Sequence, residues 1–312
     1  MIISASRRTD IPAFYSKWFI NRLKEGFVFV RNPFNANQVS KIELSPDNVD
    51  CIVFWTKNPQ PLVPKLKEID DLGFKYYFQF TLNSYDTTLE QKLPQKKLLI
   101  NTFKKLSDII GQNKVIWRYD PVLLTANFNF EYHEKWFKYI AEELHGHTKK
   151  CIISFIDMYK KCERNMKGIH LKQISDQDKI IISKKLSAIA FDNGMIMESC
   201  AEKLLLSSYG VCPGKCIDDK LISKINGQEI NIVKDKSQRH ECSCVTSIDI
   251  GAYNTCKHEC KYCYANFSRK AVENNCANHD DNSPLLTGNL TGDEKISKKK
   301  MFSLRKRQLS LF

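Results

Sequence analysis

Short apolar runs alternate with longer amphipathic stretches along the first two hundred residues. The runs cover residues 2–5, 51–55, 76–80, 115–117, 151–155 and 195–197, and the stretches between them end at Gly26, Gly73, Gly111, Gly146 and Gly194. Apolar strands that alternate with glycine-terminated helices are typical of repeated βαβ units around a parallel sheet. We therefore predict an α/β fold, a partial or closed (β/α) barrel of parallel strands, in which residues 248–250 form the last strand.

Two local patterns add detail to this fold. The apolar run 27–30 and the alternating run Val39-Ser-Lys-Ile lie on either side of Asn32-Pro33, which predicts an extra hairpin. Ser175 or Asp176 is expected to cap the helix that ends at Gly194.

Polar side chains recur where the predicted strands end. In parallel barrels these ends and the loops that follow them form the functional face. For any one of these residues, the alternative interpretation is an ordinary ion pair in a loop or a helix cap. Taken together, the residues predict a polar pocket. The candidates are Arg7, Arg8, Asp10, Thr56, Lys57, Gln79, Arg118, Asp120 and Glu198.

Cysteine usage changes sharply near residue 200. Nine of the twelve cysteines fall between Cys200 and Cys276. No apolar run is long enough to span a bilayer and no basic-then-apolar leader is evident, so we expect a cytoplasmic protein without a membrane partner. Because cytosolic reductants oppose disulfides, the clustering favours metal ligation.

Three of these thiols form a compact motif. Cys256, Cys260 and Cys263 have the spacing C-x3-C-x2-C, so one loop can turn all three toward a common point. Three thiolates suit a 4Fe-4S cluster with one iron left open. The alternative is a zinc knuckle with His258 or another cysteine as the fourth ligand.

This motif, with Tyr262 just before the third cysteine, resembles the signature of the radical S-adenosylmethionine enzymes. The resemblance implies that the three thiolates hold a 4Fe-4S cluster whose open iron chelates S-adenosylmethionine, and that an electron donor such as flavodoxin or ferredoxin reduces it. Reductive cleavage then yields a 5′-deoxyadenosyl radical. Tyr262 would lie near the adenine, and further candidates for contacts with S-adenosylmethionine are Thr56, Gln79 and Tyr264.

Two features depart from most of that superfamily. The motif lies near the end of the chain instead of the beginning, so we expect a circularly permuted barrel in which residues 248–250 pair with residues 2–5. The usual Gly-Gly-Glu segment is not evident, which leaves the residues that bind S-adenosylmethionine open.

A second resemblance covers nearly the whole chain. Residues 6–12, 54–59, 117–121 and 247–256 resemble an uncharacterised bacterial family, a domain of unknown function with a cysteine-rich C-terminal end. That family carries no assigned reaction.

A second group of cysteines precedes the motif. Cys200, Cys216, Cys242 and Cys244 are candidates for a further iron–sulfur cluster or a zinc ion, whereas Cys212 is left out beside its Pro-Gly turn. Free thiols, or a thiol that donates a hydrogen atom, are the alternatives. The expected organisation is a barrel body at 1–199, a cysteine-rich extension at 200–245, a strand and loop at 246–276 that complete the barrel, and a flexible tail at 277–312.

The tail is basic and ends in an apolar pentapeptide. Seven Lys or Arg and no acidic residue lie between Lys295 and Arg307, within a net charge of +13. Such an arm suits a polyanion or is simply solvated. The last residues resemble the peptide that docks bacterial repair proteins on the DNA sliding clamp, with Gln308, Leu309, Leu311 and Phe312 as contacts.

Three functions remain open from the sequence. The first is a radical enzyme acting on nucleic acid, repairing a base lesion in the manner of spore photoproduct lyase, whose cysteine loop is similar to Cys263-Tyr264. The second is a radical enzyme that modifies a peptide or small metabolite. The third is a nucleic-acid-binding protein whose fold is stabilised by a structural metal and which has no catalytic activity.

Overall fold

Eight parallel strands form one sheet that curves into an open barrel. The computed structural model describes residues 1–157, 160–230 and 233–305. The spatial order is β10-β1-β4-β5-β6-β7-β8-β9, and within the described residues no pairing joins the two outer strands. The strands are β1 (Ile2–Ala5), β4 (Cys51–Thr56), β5 (Tyr76–Thr81), β6 (Val115–Val122), β7 (Lys150–Phe155), β8 (Ile196–Ser199), β9 (Val211–Pro213) and β10 (Ile248–Asp249). The predicted parallel α/β barrel is confirmed in its partial form.

The last strand lies next to the first. β10 pairs in parallel with β1, and Ile3 is opposite Ile248 while Ser4 is opposite Asp249. The expected pairing of residues 248–250 with residues 2–5 is therefore present, and it carries the cysteine loop to the start of the chain.

Most of the described helices cover the outer face of the sheet, whereas the helix at residues 219–226 packs on the inner face through Ile222. The helices are α1 (Ile11–Phe14), α2 (Ser16–Glu25), α3 (Leu66–Asp71), α4 (Lys96–Ile110), α5 (Phe130–Glu143), α6 (Lys160–Asn165), α7 (Asp176–Asp192), α8 (Asp219–Asn226) and α9 (Arg269–Ala277). The predicted cap of α7 is confirmed, because the Asp178 amide donates to Ser175 Oγ at 3.1 Å and the Ser175 amide donates back to the Asp178 carboxylate. In the described part of the chain, no helix has the length and apolarity that a membrane span requires.

Strand residues alternate between two apolar cores. Ile3, Phe54 and Trp117 belong to the large core beneath the outer helices, whereas their neighbours Ile2, Val53 and Ile116 belong to a second core. This alternation follows from the period of two along a strand. Each strand therefore has one side chain under the helices and the next on the inner face of the barrel.

The cysteine-rich segment fills that inner face. Cys216, Ile217, Ile222, Cys244 and Val245 pack in the second core with the inward residues of the strands. Tyr77, on β5, donates from its hydroxyl to the carbonyl oxygen of Cys216 at 2.7 Å. After β9, the described residues between 214 and 245 are thus a plug inside the barrel, where the sequence suggested only an extension of it.

The chain after α9 packs against the barrel where a flexible tail was expected. The predicted hairpin is present as β2 (Phe27–Asn32) and β3 (Asn35–Glu43), and β11 (Lys295–Lys298) adds to β3 in parallel. The Leu304 amide and Arg305 Nε donate to Asp50 at the amino end of β4, at 2.7 and 3.0 Å. Residues 278–305 are therefore part of the fold, and the clamp-like residues Gln308, Leu309, Leu311 and Phe312 lie outside the described residues.

Candidate active site

A polar cavity of about 530 Å³ opens at the carboxyl ends of the strands. Its walls come from the loops after β1, β4, β6, β7 and β10 and from the plug. Both cysteine sets line it, together with most of the charged candidates: Arg7, Arg8, Asp10, Thr56, Lys57, Arg118, Asp120, Cys200, Cys216, Cys242, Cys244, Cys256, Cys260, Tyr262, Cys263 and Tyr264. The predicted polar pocket is present.

The loop that carries the first cysteine set is fixed at several points. The Cys263 amide donates to the carbonyl oxygen of Cys260 at 3.1 Å, which folds the C-x2-C segment into a turn. The Lys261 amide donates to the Leu89 carbonyl at 2.9 Å, and the Lys92 amide donates to the His258 carbonyl at 3.1 Å. Backbone contacts with the loop after β5 therefore hold the thiols at the cavity wall.

The three thiols have the chemistry of metal ligands that need a metal to ionise. Burial raises the pKa of Cys256 and Cys263, and it raises the pKa of Cys260 to about 12 despite the nearby Lys57 ammonium. Without a bound cation these thiols stay protonated at neutral pH. A metal centre that forms thiolate bonds supplies the missing charge.

An iron–sulfur cluster and a single zinc ion need different arrangements of their protein ligands. Within the described residues, no three Cys, His, Asp or Glu side chains meet closely enough to hold one metal ion. A zinc ion needs sulfurs about 2.3 Å from one centre, whereas the irons of a cube each bind a separate thiolate and leave the thiolates farther apart. In number and residue type, three thiols on one loop match the ligands of such a cube.

Asp10 organises the surroundings of this loop. Its carboxylate accepts the Lys57 amide at 2.7 Å and the Ala13 amide at 3.0 Å, which caps α1. His258 Nε2 lies 2.8 Å from the same carboxylate. Asp10, predicted as catalytic, therefore joins three segments of the site and orients the histidine between Cys256 and Cys260.

Lys57 and Tyr262 belong to a buried polar cluster beside the thiols. Lys57 Nζ donates to Glu90 Oε1 and to the Tyr262 hydroxyl, both at 2.8 Å. The Tyr262 hydroxyl donates to Glu90, and Asn83 donates to that hydroxyl at 3.1 Å. The ring of Tyr262 lines the cavity, but its hydroxyl is committed to this cluster.

The second cysteine set is a chain of sulfur contacts. Cys200 Sγ and Cys216 Sγ are 3.0 Å apart, and the Ile217 amide points at Cys244 Sγ from 3.4 Å. A hydrogen bond from Cys244 lowers the pKa of Cys242 to about 7. The four thiols come from three segments that are distant in sequence, and the fold brings them together as expected.

Arg118 lies against this second set. Its Nη1 donates to Cys216 Sγ at 2.8 Å, and its Nη2 pairs with Asp120. Burial opposes the charge on Asp120, yet Arg118 and a hydrogen bond from Ser154 lower its pKa. The pair stays ionised, so the guanidinium can stabilise negative charge on the sulfurs.

Two predicted site residues lie elsewhere. Gln79 is buried behind the cavity wall, where its amide donates to the Cys216 carbonyl oxygen at 2.8 Å. Glu198 is not among the lining residues and pairs with Lys150 Nζ at 2.7 Å. The plug covers Gln79. Glu198 lies outside the cavity because it pairs with Lys150 at the start of the neighbouring strand.

Three residues of the site were not predicted from the sequence. Asp249 accepts hydrogen bonds from the Arg7 amide at 2.8 Å and from the Ser4 and Ser6 hydroxyls. Trp55 and Thr9 line the cavity with unpaired polar atoms. A carboxylate between two isoleucines of a predicted strand was the available signal for Asp249, because only one face of that strand can be apolar.

The fold and the site define a cysteine-rich α/β protein with an open parallel barrel and two thiol sets around one cavity. The chain belongs to the family described as Domain of unknown function (DUF1848), whose family model matches residues 2–265. The match spans the barrel, the plug and both cysteine sets. No curated protein matches the chain.

Proposed function

We propose that this protein is a radical S-adenosylmethionine enzyme. One observation carries the proposal: Cys256, Cys260 and Cys263, spaced C-x3-C-x2-C on one loop, line a cavity at the carboxyl ends of parallel strands. Three thiolates for four irons leave one position for a ligand, and the cavity offers room for one beside it. A structural metal site would instead be closed by a fourth protein ligand.

When bound, a 4Fe-4S cluster would supply the electron that cleaves S-adenosylmethionine to methionine and a 5′-deoxyadenosyl radical. The chain's own residues hold and shield the site. The Asp10 carboxylate orients His258, and the cluster of Lys57, Glu90 and Tyr262 keeps the loop fixed beside the cavity. Arg7 and Arg8 offer positive charge to anionic groups of the ligand.

Cys200, Cys216, Cys242 and Cys244 would hold a second cluster. The alternative, a zinc ion, would need these thiols to move closer together, because no three of the described side chains lie close enough for one ion. The contact from Arg118 to Cys216 supports this proposal, because a buried guanidinium beside sulfur stabilises thiolate. Four protein thiolates leave no open position, so we assign to this centre electron transfer or structure.

Nucleic acid is the substrate class that we favour. The similarity of the loop at Cys263-Tyr264 to spore photoproduct lyase supports it. The basic residues of the C-terminal segment offer a second contact with a polyanion, at the opposite end of the sheet from the cavity. A cavity of about 530 Å³ has the size of a small-molecule site, so a duplex would deliver one extruded nucleotide to it. A peptide or small metabolite is the alternative substrate, and the clamp-like end of the chain remains a proposal for the partner.

The test is anaerobic reconstitution with iron and sulfide, followed by an assay for 5′-deoxyadenosine with dithionite, flavodoxin or ferredoxin as reductant. We expect cleavage in the native protein and in Cys212→Ser, an exposed cysteine outside the cavity. We expect no cleavage in Cys256→Ala, Cys260→Ala or Cys263→Ala. Bound zinc without sulfide, and no cleavage in any variant, would favour the non-catalytic nucleic-acid-binding protein.

Substrate class needs a separate comparison. Binding to damaged DNA, intact DNA and the sliding clamp is measured for the full chain and for a chain that ends before Gln308. Binding to none of the three would remove the nucleic-acid proposal and leave the radical chemistry with a peptide or metabolite.

A further inference from the structure

The cations that line the cavity differ in one respect. Lys57 pairs with Glu90, Arg118 with Asp120, Arg239 with Asp157, and Arg8 approaches Asp249 at 3.9 Å. Among the described residues, Arg7 makes no ion pair within 4 Å; burial opposes its charge, and the more distant Cys244, Cys216 and Asp249 raise its pKa. A buried charge without a partner is costly, so a cation left unpaired in a cavity indicates a missing anion.

The position of Arg7 is fixed before any ligand arrives. Its amide donates to Asp249, and the Tyr264 hydroxyl donates to its carbonyl oxygen at 2.9 Å. Its guanidinium lies 5.1 Å from the centre of the Trp55 ring. Backbone and side chain are both held, so the guanidinium loses little freedom when it binds.

Gly251 makes this tight turn possible. A Cβ atom there would lie 2.1 Å from Ser6 Oγ, the hydroxyl that receives the Arg8 amide and donates to Asp249. The close approach of the last strand to the first therefore depends on a residue without a side chain.

Three unfilled hydrogen bonds belong to residues that line the cavity. Arg7 Nη2, Trp55 Nε1 and Thr9 Oγ1 are buried polar atoms without a partner in the part of the chain that the structure describes. Guanidinium and indole nitrogens only donate, and a hydroxyl can also donate. Each unmade bond costs roughly 1–3 kcal/mol, so a ligand that accepts all three recovers that cost.

We propose that Arg7, with Trp55 and Thr9, binds an oxyanion of the ligand, a carboxylate or a phosphate, in this cavity. The planar fork of a guanidinium matches two oxygens of either group. Lys57 and Arg118 are excluded from this role by their bonds to Glu90, Tyr262, Asp120 and Cys216. The assignment rests on the proposed function only in using the same cavity.

Four adenosine compounds distinguish the sources of the oxyanion. S-adenosylmethionine carries a carboxylate that 5′-methylthioadenosine lacks, and adenosine 5′-monophosphate carries a phosphate that adenosine lacks. Dissociation constants are measured by calorimetry on the full chain and on Arg7→Gln, Arg7→Lys and Trp55→Phe. Arg269→Gln, an exposed arginine of α9, is the matched control.

We expect one anionic compound to bind at least tenfold more tightly than its neutral counterpart. Arg7→Gln should remove about 10–100-fold of that affinity, as for a charged hydrogen bond, and Arg7→Lys should restore part of it. Trp55→Phe keeps the ring beside Arg7 and should cost about fivefold. The neutral compounds and Arg269→Gln should show no change, and the compound that responds identifies the carboxylate or the phosphate.

Equal binding of charged and neutral compounds, no binding of either anionic compound, or unchanged affinity in a folded Arg7→Gln would overturn the assignment. The test is independent of the radical chemistry. Anion binding without cleavage of S-adenosylmethionine contradicts the proposed function alone, and cleavage without an effect of Arg7 contradicts the oxyanion site alone. Circular dichroism of each variant separates loss of binding from loss of fold.

Discussion

Asp50, at the amino end of the parallel sheet, and Arg7, at the carboxyl end, differ in how the protein satisfies their polar groups. At the amino end, Asp50 is fully buried and accepts hydrogen bonds from Ser303, Leu304 and Arg305. At the carboxyl end, Arg7, Thr9, Trp55 and His258 each have a buried polar atom with no partner among the described residues.

This difference distinguishes polar groups that stabilise the fold from polar groups that can bind a ligand. Polar groups that the protein itself satisfies stabilise the fold, and those left unsatisfied beside a cavity are available to a ligand. The C-terminal segment runs past the amino end at Asp50. A partner bound to that segment would therefore lie on the opposite side from the cavity mouth.

The largest expected effect on stability comes from Glu90, a fully buried carboxylate at the carboxyl end whose partners all come from the protein. It is buried and bonded to Lys57, Lys96 and Tyr262. Glu90→Gln leaves two cations unpaired and should lower the free energy of unfolding by about 3–5 kcal/mol, measured by urea denaturation. Glu68→Gln, which breaks an exposed pair with Lys24, should change it by less than about 1 kcal/mol. A loss as small as that of Glu68→Gln would contradict the account of the cluster.

Asp50→Asn tests the amino end itself. The change removes the charge that holds Arg305 and one acceptor of a buried group, so we expect a loss of about 2–3 kcal/mol in the same measurement. Limited proteolysis should also cut the segment around residues 299–305 faster. Unchanged proteolysis would mean that Asp50 does not anchor this segment.

Low pH should destabilise the fold through the carboxylates of Glu90 and Asp50. Burial alone would raise the pKa of Glu90, but Lys57 and Lys96 hold it at about 2, and hydrogen bonds lower the pKa of Asp50 despite its burial. The unfolded chain takes up these protons first, so stability is present above about pH 4.5 and is lost as the pH falls toward 2. Denaturation curves from pH 7 to pH 3 should show this fall, with a shallower slope in Glu90→Gln.

The smallest effect compares two buried threonines. Thr148 lies at the amino end and donates to the Val115 carbonyl oxygen at 2.7 Å, whereas Thr9 has no partner for its hydroxyl in the described chain. Thr148→Val should cost about 1–2 kcal/mol, and Thr9→Val should be neutral or slightly stabilising. Equal losses in thermal denaturation would remove the contrast between the two ends.

Hydrophobic patterning was enough to predict the barrel. The pairing of β10 with β1 was expected from the late position of the cysteine motif, which indicated a circularly permuted barrel. The hairpin of β2 and β3 and the cap at Ser175 were predicted from local residues alone. The hairpin and the cap depend on residues that are close in sequence, so they can be predicted directly from it.

The errors concern contacts between distant segments. Gln79 and Glu198 both follow the pattern of polar strand ends, and nothing near them in sequence shows that the plug covers one and that Lys150 pairs with the other. The helix of the plug, α8, is amphipathic like the helices of the outer face, so its place inside the barrel was hidden. For the same reason Trp55 and Thr9 were not recognised as cavity residues.

The three-thiol site is tested most directly by electron paramagnetic resonance of the reconstituted, reduced protein before and after S-adenosylmethionine is added. We predict that the ligand changes the cluster signal in the native protein and in Cys212→Ser. In Cys256→Ala, Cys260→Ala and Cys263→Ala the ligand should leave any remaining signal unchanged. A native spectrum indifferent to S-adenosylmethionine, or zinc in place of iron at these thiols, would contradict the account.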